Sequence, residues 1–173
     1  MTDEQRRVLG YLKAQGAKLP PGDIIDKVRA AMMELHEAAI AVPRERFAES
    51  PAPGEWSANA VMAHVVEAGR HFGGAIVRIL DGQPAAALRD EAARDTSTRT
   101  LQQWWSDLQR DRDALFERVL AADAGARLAA TVEHPMFGPL NWRETLLFMR
   151  LHDLDHAGQL RKIAGALATT SGA

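Results

Sequence analysis

In four separate stretches of this chain the larger apolar side chains recur every three to four residues, the spacing that gathers them on one face of an α-helix. Ile25, Val28, Met32, Leu35 and Ala39 do so ahead of Pro43, in a segment that follows Pro20 and Pro21 and takes Asp23 as its N-cap. Val61, Val65, Ala68, Phe72, Ala75, Ile76 and Ile79 form the stripe of a segment from Ser57 to Leu80. Leu101, Trp104, Trp105, Leu108, Leu115, Val119 and Leu120 do the same within residues 98–122. Trp142, Met149, Leu160 and Ile163 line a last segment expected to run from Asn141 to Ala164. Helices with one apolar face must bury it against each other, so the expected fold is all-α, a four-helix bundle.

Local signals fix several ends. Ser57 reads as an N-cap, with Trp56 one residue ahead placed to reach Val61 as a hydrophobic staple. Asn141 followed three residues later by Glu144 reads as a capping box for the last helix. A short polar segment over 3–15 is expected to stop near Gly16. Residues 130–134 are the one strand-like piece, and Pro135, Gly138 and Pro139 turn the chain behind it. The expected layout is a helical extension over 1–20, the bundle over 21–166, and a flexible tail over 167–173. The connection from Asp81 to Ser97 is polar and without a stripe.

Composition narrows the function classes. The 21 Lys and Arg residues are balanced by 23 Asp and Glu, for a net charge of −2, which does not suit a phosphate-neutralising surface. No apolar run approaches the roughly 20 residues needed to span a bilayer, and the first residues are polar, unlike a secretory signal. A cytoplasmic protein with neither nucleic acid nor membrane as partner is expected. With no cysteine at all, the chain has no disulfide, no thiolate metal ligand and no thiol nucleophile of its own.

His152 and His156 carry the clearest chemical signal. Four residues turn a helix by about 400°, so both imidazoles leave one face a single turn apart, and can share a metal ion. They lie on the edge of the face that carries Trp142, Met149, Leu160 and Ile163, toward the bundle interior. A third donor has to come from another helix. His64, on the flank of the stripe that begins at Val61, is the leading candidate; as a core-edge residue it would instead bond a backbone carbonyl. Glu67 and His71 on the same helix and Gln159 after the pair are candidates for holding a ligand in orientation rather than binding the ion. His134 reads as a turn residue, His36 as a helix-face residue, and Trp104 and Trp105 as core.

Three neutral imidazoles would leave a divalent ion its full charge and an open position, the mark of a catalytic site. Water there becomes a nucleophile near neutral pH. A thiol could take the same place, but in a chain without cysteine it must come from a cosubstrate. Other chemistries lack their residues. No Glu-x-x-His motif for a di-iron centre occurs, and no Gly-x-Ser-x-Gly elbow. There is no phosphate-binding glycine loop, and Asp153 after His152 breaks the His-Glu-x-x-His pattern.

Trp56 and Ser57 followed by His64, then His134, Pro135, Phe137, Gly138, Asn141 and Trp142, and finally His152, His156 and Gln159 together resemble the DinB/YfiT-like superfamily of four-helix bundles, over roughly residues 22–164. The resemblance implies one divalent metal ion, zinc or nickel first and manganese or iron next, held by the residues matching His64, His152 and His156. It also implies a small-molecule substrate, and hydrolase activity or a transferase or isomerase activity that uses a low-molecular-weight thiol such as mycothiol or bacillithiol. Homodimers are common among such proteins. A second stripe on the last helix, Leu147, Leu151 and Leu154 with Gly158, is expected to pack against a partner subunit or beneath the first segment. Two alternatives stand beside the enzyme: a metal- or ligand-binding bundle without turnover, and a structural dimer.

Overall fold

The computed structural model describes residues 1–85 and 97–169. Five helices follow one another: α1 (Asp3–Lys18), α2 (Pro21–Ile40), α3 (Ala58–Leu80), α4 (Leu101–Leu120) and α5 (Trp142–Thr169). A 3₁₀ turn, Arg44–Arg46, follows α2, and a hairpin of β1 (Val132–His134) and β2 (Gly138–Leu140) precedes α5. α5 lies against α2 and α3, α3 against α4, and α4 against α2, which closes a four-helix bundle. α1 packs on the outside of α5. The large residues of the four stripes meet in one core, where Trp104, Trp142, Phe116 and Leu108 are almost wholly buried. No helix among the described residues is long and apolar enough to cross a membrane.

The caps follow the local sequence. Ser57 accepts the Ala60 N–H through its hydroxyl. Asn141 Oδ1 accepts the N–H groups of Arg143 and Glu144, and Glu144 Oε2 accepts that of Asn141 in return. In the hairpin His134 pairs with Gly138 across residues 135–137, and Gly138 takes φ +69°, a left-handed conformation that glycine adopts without strain.

Several ends differ from expectation. α1 runs past Gly16 to Lys18, because that glycine serves a close helix crossing: a Cβ there would stand 2.9 Å from Glu144 Cγ. Asp23 is not the N-cap of α2. Pro20 holds that position with Pro21 in the first turn, where a missing N–H loses no bond, and Asp23 lies within that turn. α4 starts later than residue 98, at Leu101, since Thr100 and Gln103 form the capping box. α5 continues beyond Ala164 to Thr169, so residues 167–169 belong to the helix and not to a tail. Leu167 is buried there, and the Arg46 guanidinium donates to its carbonyl, one of those that a helix C-terminus leaves without a partner. The rest of the expected tail, and the part of the polar connection over 86–96, lie outside the described residues.

α1 covers the first half of α5. Leu12 is fully buried, Lys13 Nζ donates to Glu144 Oε2 at 2.8 Å and to the Pro139 carbonyl at 3.0 Å, and Arg150 donates to the Tyr11 hydroxyl. Leu147, one turn after Glu144, is completely buried, while Leu151 and Leu154 farther along are half-buried. α1 thus covers the beginning of the outer stripe.

Candidate metal centre

α3 and α5 pack side by side, and this contact brings three imidazoles together. His64 leaves α3 two turns after its Ser57 cap; His152 and His156 leave consecutive turns of α5. One ring nitrogen of each lies within 4.8 Å of the other two, so the three can hold a metal ion. His64 Nε2 and His152 Nε2 stand 3.1 Å apart, close to the roughly 3.3 Å that separates two nitrogens on one tetrahedral zinc ion. The ring centroids of His152 and His156 are 4.4 Å apart, and that of His64 is 5.1 Å and 4.9 Å from them.

The orientation of His156 is fixed from behind. Its Nδ1 lies 2.9 Å from Gln159 Oε1, an atom that only accepts, so Nδ1 carries the proton and donates. Nε2 is then the nitrogen with a free lone pair, as a metal ligand requires. Burial, and next the neighbouring His152, hold His156 below the ordinary imidazole range, against the opposing pull of Gln159, Asp155 and Asp153. A neutral ring is the form that binds a cation. The donor set fits a divalent ion.

Aromatic rings enclose the cluster. Trp56 meets His64 edge-on with centroids 5.2 Å apart, and lies nearly parallel to His156 at 6.4 Å. On the other side Phe72 meets His152 edge-on at 5.5 Å and Phe148 at 5.3 Å. Phe148 in turn touches His134 and Phe137, both in the hairpin. Trp56, read from the sequence as a staple for Val61, therefore has the two histidine rings as neighbours, and its place directly before the cap of the helix that carries His64 was the available signal.

The remaining sequence candidates do not join the trio. Glu67 and His71 are half-buried on α3 and stand outside the trio of nitrogens. His134 is buried at the end of β1, and its Nδ1 accepts the Met136 N–H at 3.2 Å, a bond that closes the hairpin. His36 stacks on Trp105 of α4, with centroids 4.1 Å apart and planes 15° from parallel. Trp104 and Trp105 are core residues, and Trp104 Nε1 donates to Asn59 Oδ1 at 2.9 Å. Sequence reading missed a buried ion pair, Arg112 with Asp153, that begins next to His152.

Comparison with known proteins agrees with this architecture. A family model described as the DinB superfamily matches residues 24–160, which takes in the three histidines and leaves α1 outside. The crystal structure of TT2238, a four-helix bundle protein, superposes with a TM-score of 0.63 at 21% identity, covering 82% of this chain and 98% of that one. A comparison with curated proteins finds no match.

Proposed function

The chain belongs to the DinB superfamily, and from that premise we propose that it is a divalent-metal-dependent enzyme acting on a small molecule, with His64, His152 and His156 as the ligands. The observation that carries this reading is the convergence of three imidazole nitrogens, from two helices distant in sequence, within 4.8 Å of one another. A bundle has no structural need to gather three imidazoles at one point, since buried polar groups are costly unless satisfied.

Zinc and nickel both suit an all-imidazole set. A bound ion would supply Lewis acidity, able to activate the thiol of a low-molecular-weight cosubstrate or a water molecule. The chain's own residues prepare for it. Gln159 keeps the proton of His156 on Nδ1. Trp56, Phe72 and Phe148 limit the access of solvent to the rings and lower the local dielectric, which strengthens every charge interaction there. The absence of cysteine means that a thiol reaction must take its sulfur from the cosubstrate.

The test is turnover. Loaded with zinc or nickel, the protein is expected either to consume an electrophile in the presence of a low-molecular-weight thiol or to hydrolyse an amide or ester without one, and His152→Ala is expected to lose that activity. Metal-loaded protein that turns over nothing in either panel contradicts the enzyme and leaves a binding protein.

A further inference from the structure

One helical position beyond His152, a guanidinium and a carboxylate are sealed inside the bundle. Arg112 Nη2 on α4 donates to Asp153 Oδ1 on α5 at 3.0 Å, and the two side chains are 2% and 0% exposed. Stability does not explain them. Burying two charges is expensive, and well-packed apolar side chains in their place are often as stable or more so. Nor is the contact built for maximal strength. A guanidinium can grip a carboxylate with two parallel bonds, yet Arg112 Nε, Arg112 Nη1 and Asp153 Oδ2 have no hydrogen-bond partner among the described residues. α3 passes close to the pair at Gly69, where a Cβ would make ordinary van der Waals contact with Arg112 Nε and Nη2 at 3.5 Å.

The position of the pair supplies the reason. His152 turns Nε2 toward His64, so its Nδ1 faces backward, and there it lies 4.0 Å from Asp153 Oδ1. Metal-binding imidazoles commonly give their second N–H to a carboxylate, which sets the tautomer and the angle of the ring. His156 has its partner in Gln159; Asp153 is the group placed to do the same for His152.

We infer that Asp153, held in place by Arg112, is the positioning carboxylate of His152. It accepts the Nδ1 proton, keeps the Nε2 lone pair pointed at the shared centre, and sets a carboxylate behind a ligand whose other neighbours are aromatic rings. A shift of about 1 Å by the imidazole brings Nδ1 and Oδ1 to hydrogen-bond distance. Arg112 holds the carboxylate in place and ties α4, which gives no imidazole to the trio, to the site. This inference rests on the metal reading for its meaning, while the tautomer of His152 can be read without any metal.

Two measurements test it. In the metal-free wild type, nitrogen-15 NMR of the histidine rings is expected to show His152 protonated at Nδ1; protonation at Nε2 overturns the inference whether or not the protein binds metal. Because removing one charge can unfold the protein, the second test removes both, in the volume-matched Arg112→Met/Asp153→Leu variant, with Asp153→Asn as the gentler companion that retains a neutral acceptor. Zinc affinity, measured by competition with a chromophoric chelator, is expected to fall about 10- to 100-fold in the double variant and less in Asp153→Asn, with helical content retained. Wild-type zinc affinity in a folded variant lacking the Asp153 carboxylate overturns the assignment and makes the pair a tie between helices. If the wild type and His64→Ala bind zinc equally poorly, the metal reading fails instead, and the tautomer alone decides the role of Asp153.

Discussion

The two sides of the bundle use histidine in opposite ways. Between α2 and α4 a single imidazole, His36, stacks flat on Trp105 and borders a cavity of about 670 Å³ that Arg44, Arg99, Phe47 and Ile40 also line. Between α3 and α5 three imidazoles turn their nitrogens toward one point. Burial lowers the pKa of His36 and of His156, so a perturbed histidine is not what separates the two sides. Convergence is. No group of three metal-binding side chains among the described residues includes His36, and its ring works as an aromatic surface. The difference teaches that a histidine becomes a site through the direction of its neighbours' lone pairs, and through the Gln159 and Asp153 groups that stand behind them.

The largest effect should come from breaking the contrast outright. His64→Ala is expected to lower zinc affinity by at least 100-fold, since two imidazoles on one helix face hold an ion far less tightly than three, while His36→Phe leaves it unchanged. A titration of both variants checks this, and equal losses would erase the distinction between the two sides. Gln159→Leu keeps all three donors and removes only the bond to His156 Nδ1; about a 10-fold loss of zinc affinity is expected, in the same competition assay.

Stability gives a complementary comparison. Leu12→Ala empties a fully buried place beneath α1, far from the histidines in sequence, and is expected to cost about 2–5 kcal/mol in urea unfolding without changing the stoichiometry of metal binding. The smallest effect concerns pH. His36 is held below its ordinary value of 6.5 chiefly by burial, with Glu37 pulling the other way. The unfolded chain therefore takes up this proton at a higher pH than the folded one does. Its burial is free of penalty above the unfolded value, and stability declines as pH falls from there toward the folded value. His36→Phe is expected to flatten that part of the stability–pH curve for the metal-free protein, and an unchanged slope would show that the stacking on Trp105 does not depend on a neutral ring.

Much of this architecture is written locally. The stripes, the Ser57 cap and the Asn141–Glu144 box depend on residues a few positions apart, and the two histidines of α5 share a face by helical geometry alone. Features that depend on a neighbouring helix were not legible. Gly16 reads as a stop until Glu144 is seen packed against it, and α5 reads as ending near Ala164 until Arg46 arrives at the Leu167 carbonyl. Arg112 falls between Leu108 and Leu115 on the stripe of α4, and Asp153 four residues after Met149 on α5, yet neither sequence position names its partner; only the assembled bundle reveals that the two are sealed together beside His152. His64 lay between the two kinds. Its flank position is local information, but its meeting with His152 is tertiary.

The central claim is that His64, from α3, and the pair on α5 hold one ion. Metal analysis of protein purified without a metal-affinity resin tests it most directly. About one equivalent of zinc or nickel per chain in the wild type, and none in either His64→Ala or His152→Ala, is the predicted result. Metal-free wild-type protein that takes up added zinc or nickel no better than His64→Ala does would contradict it.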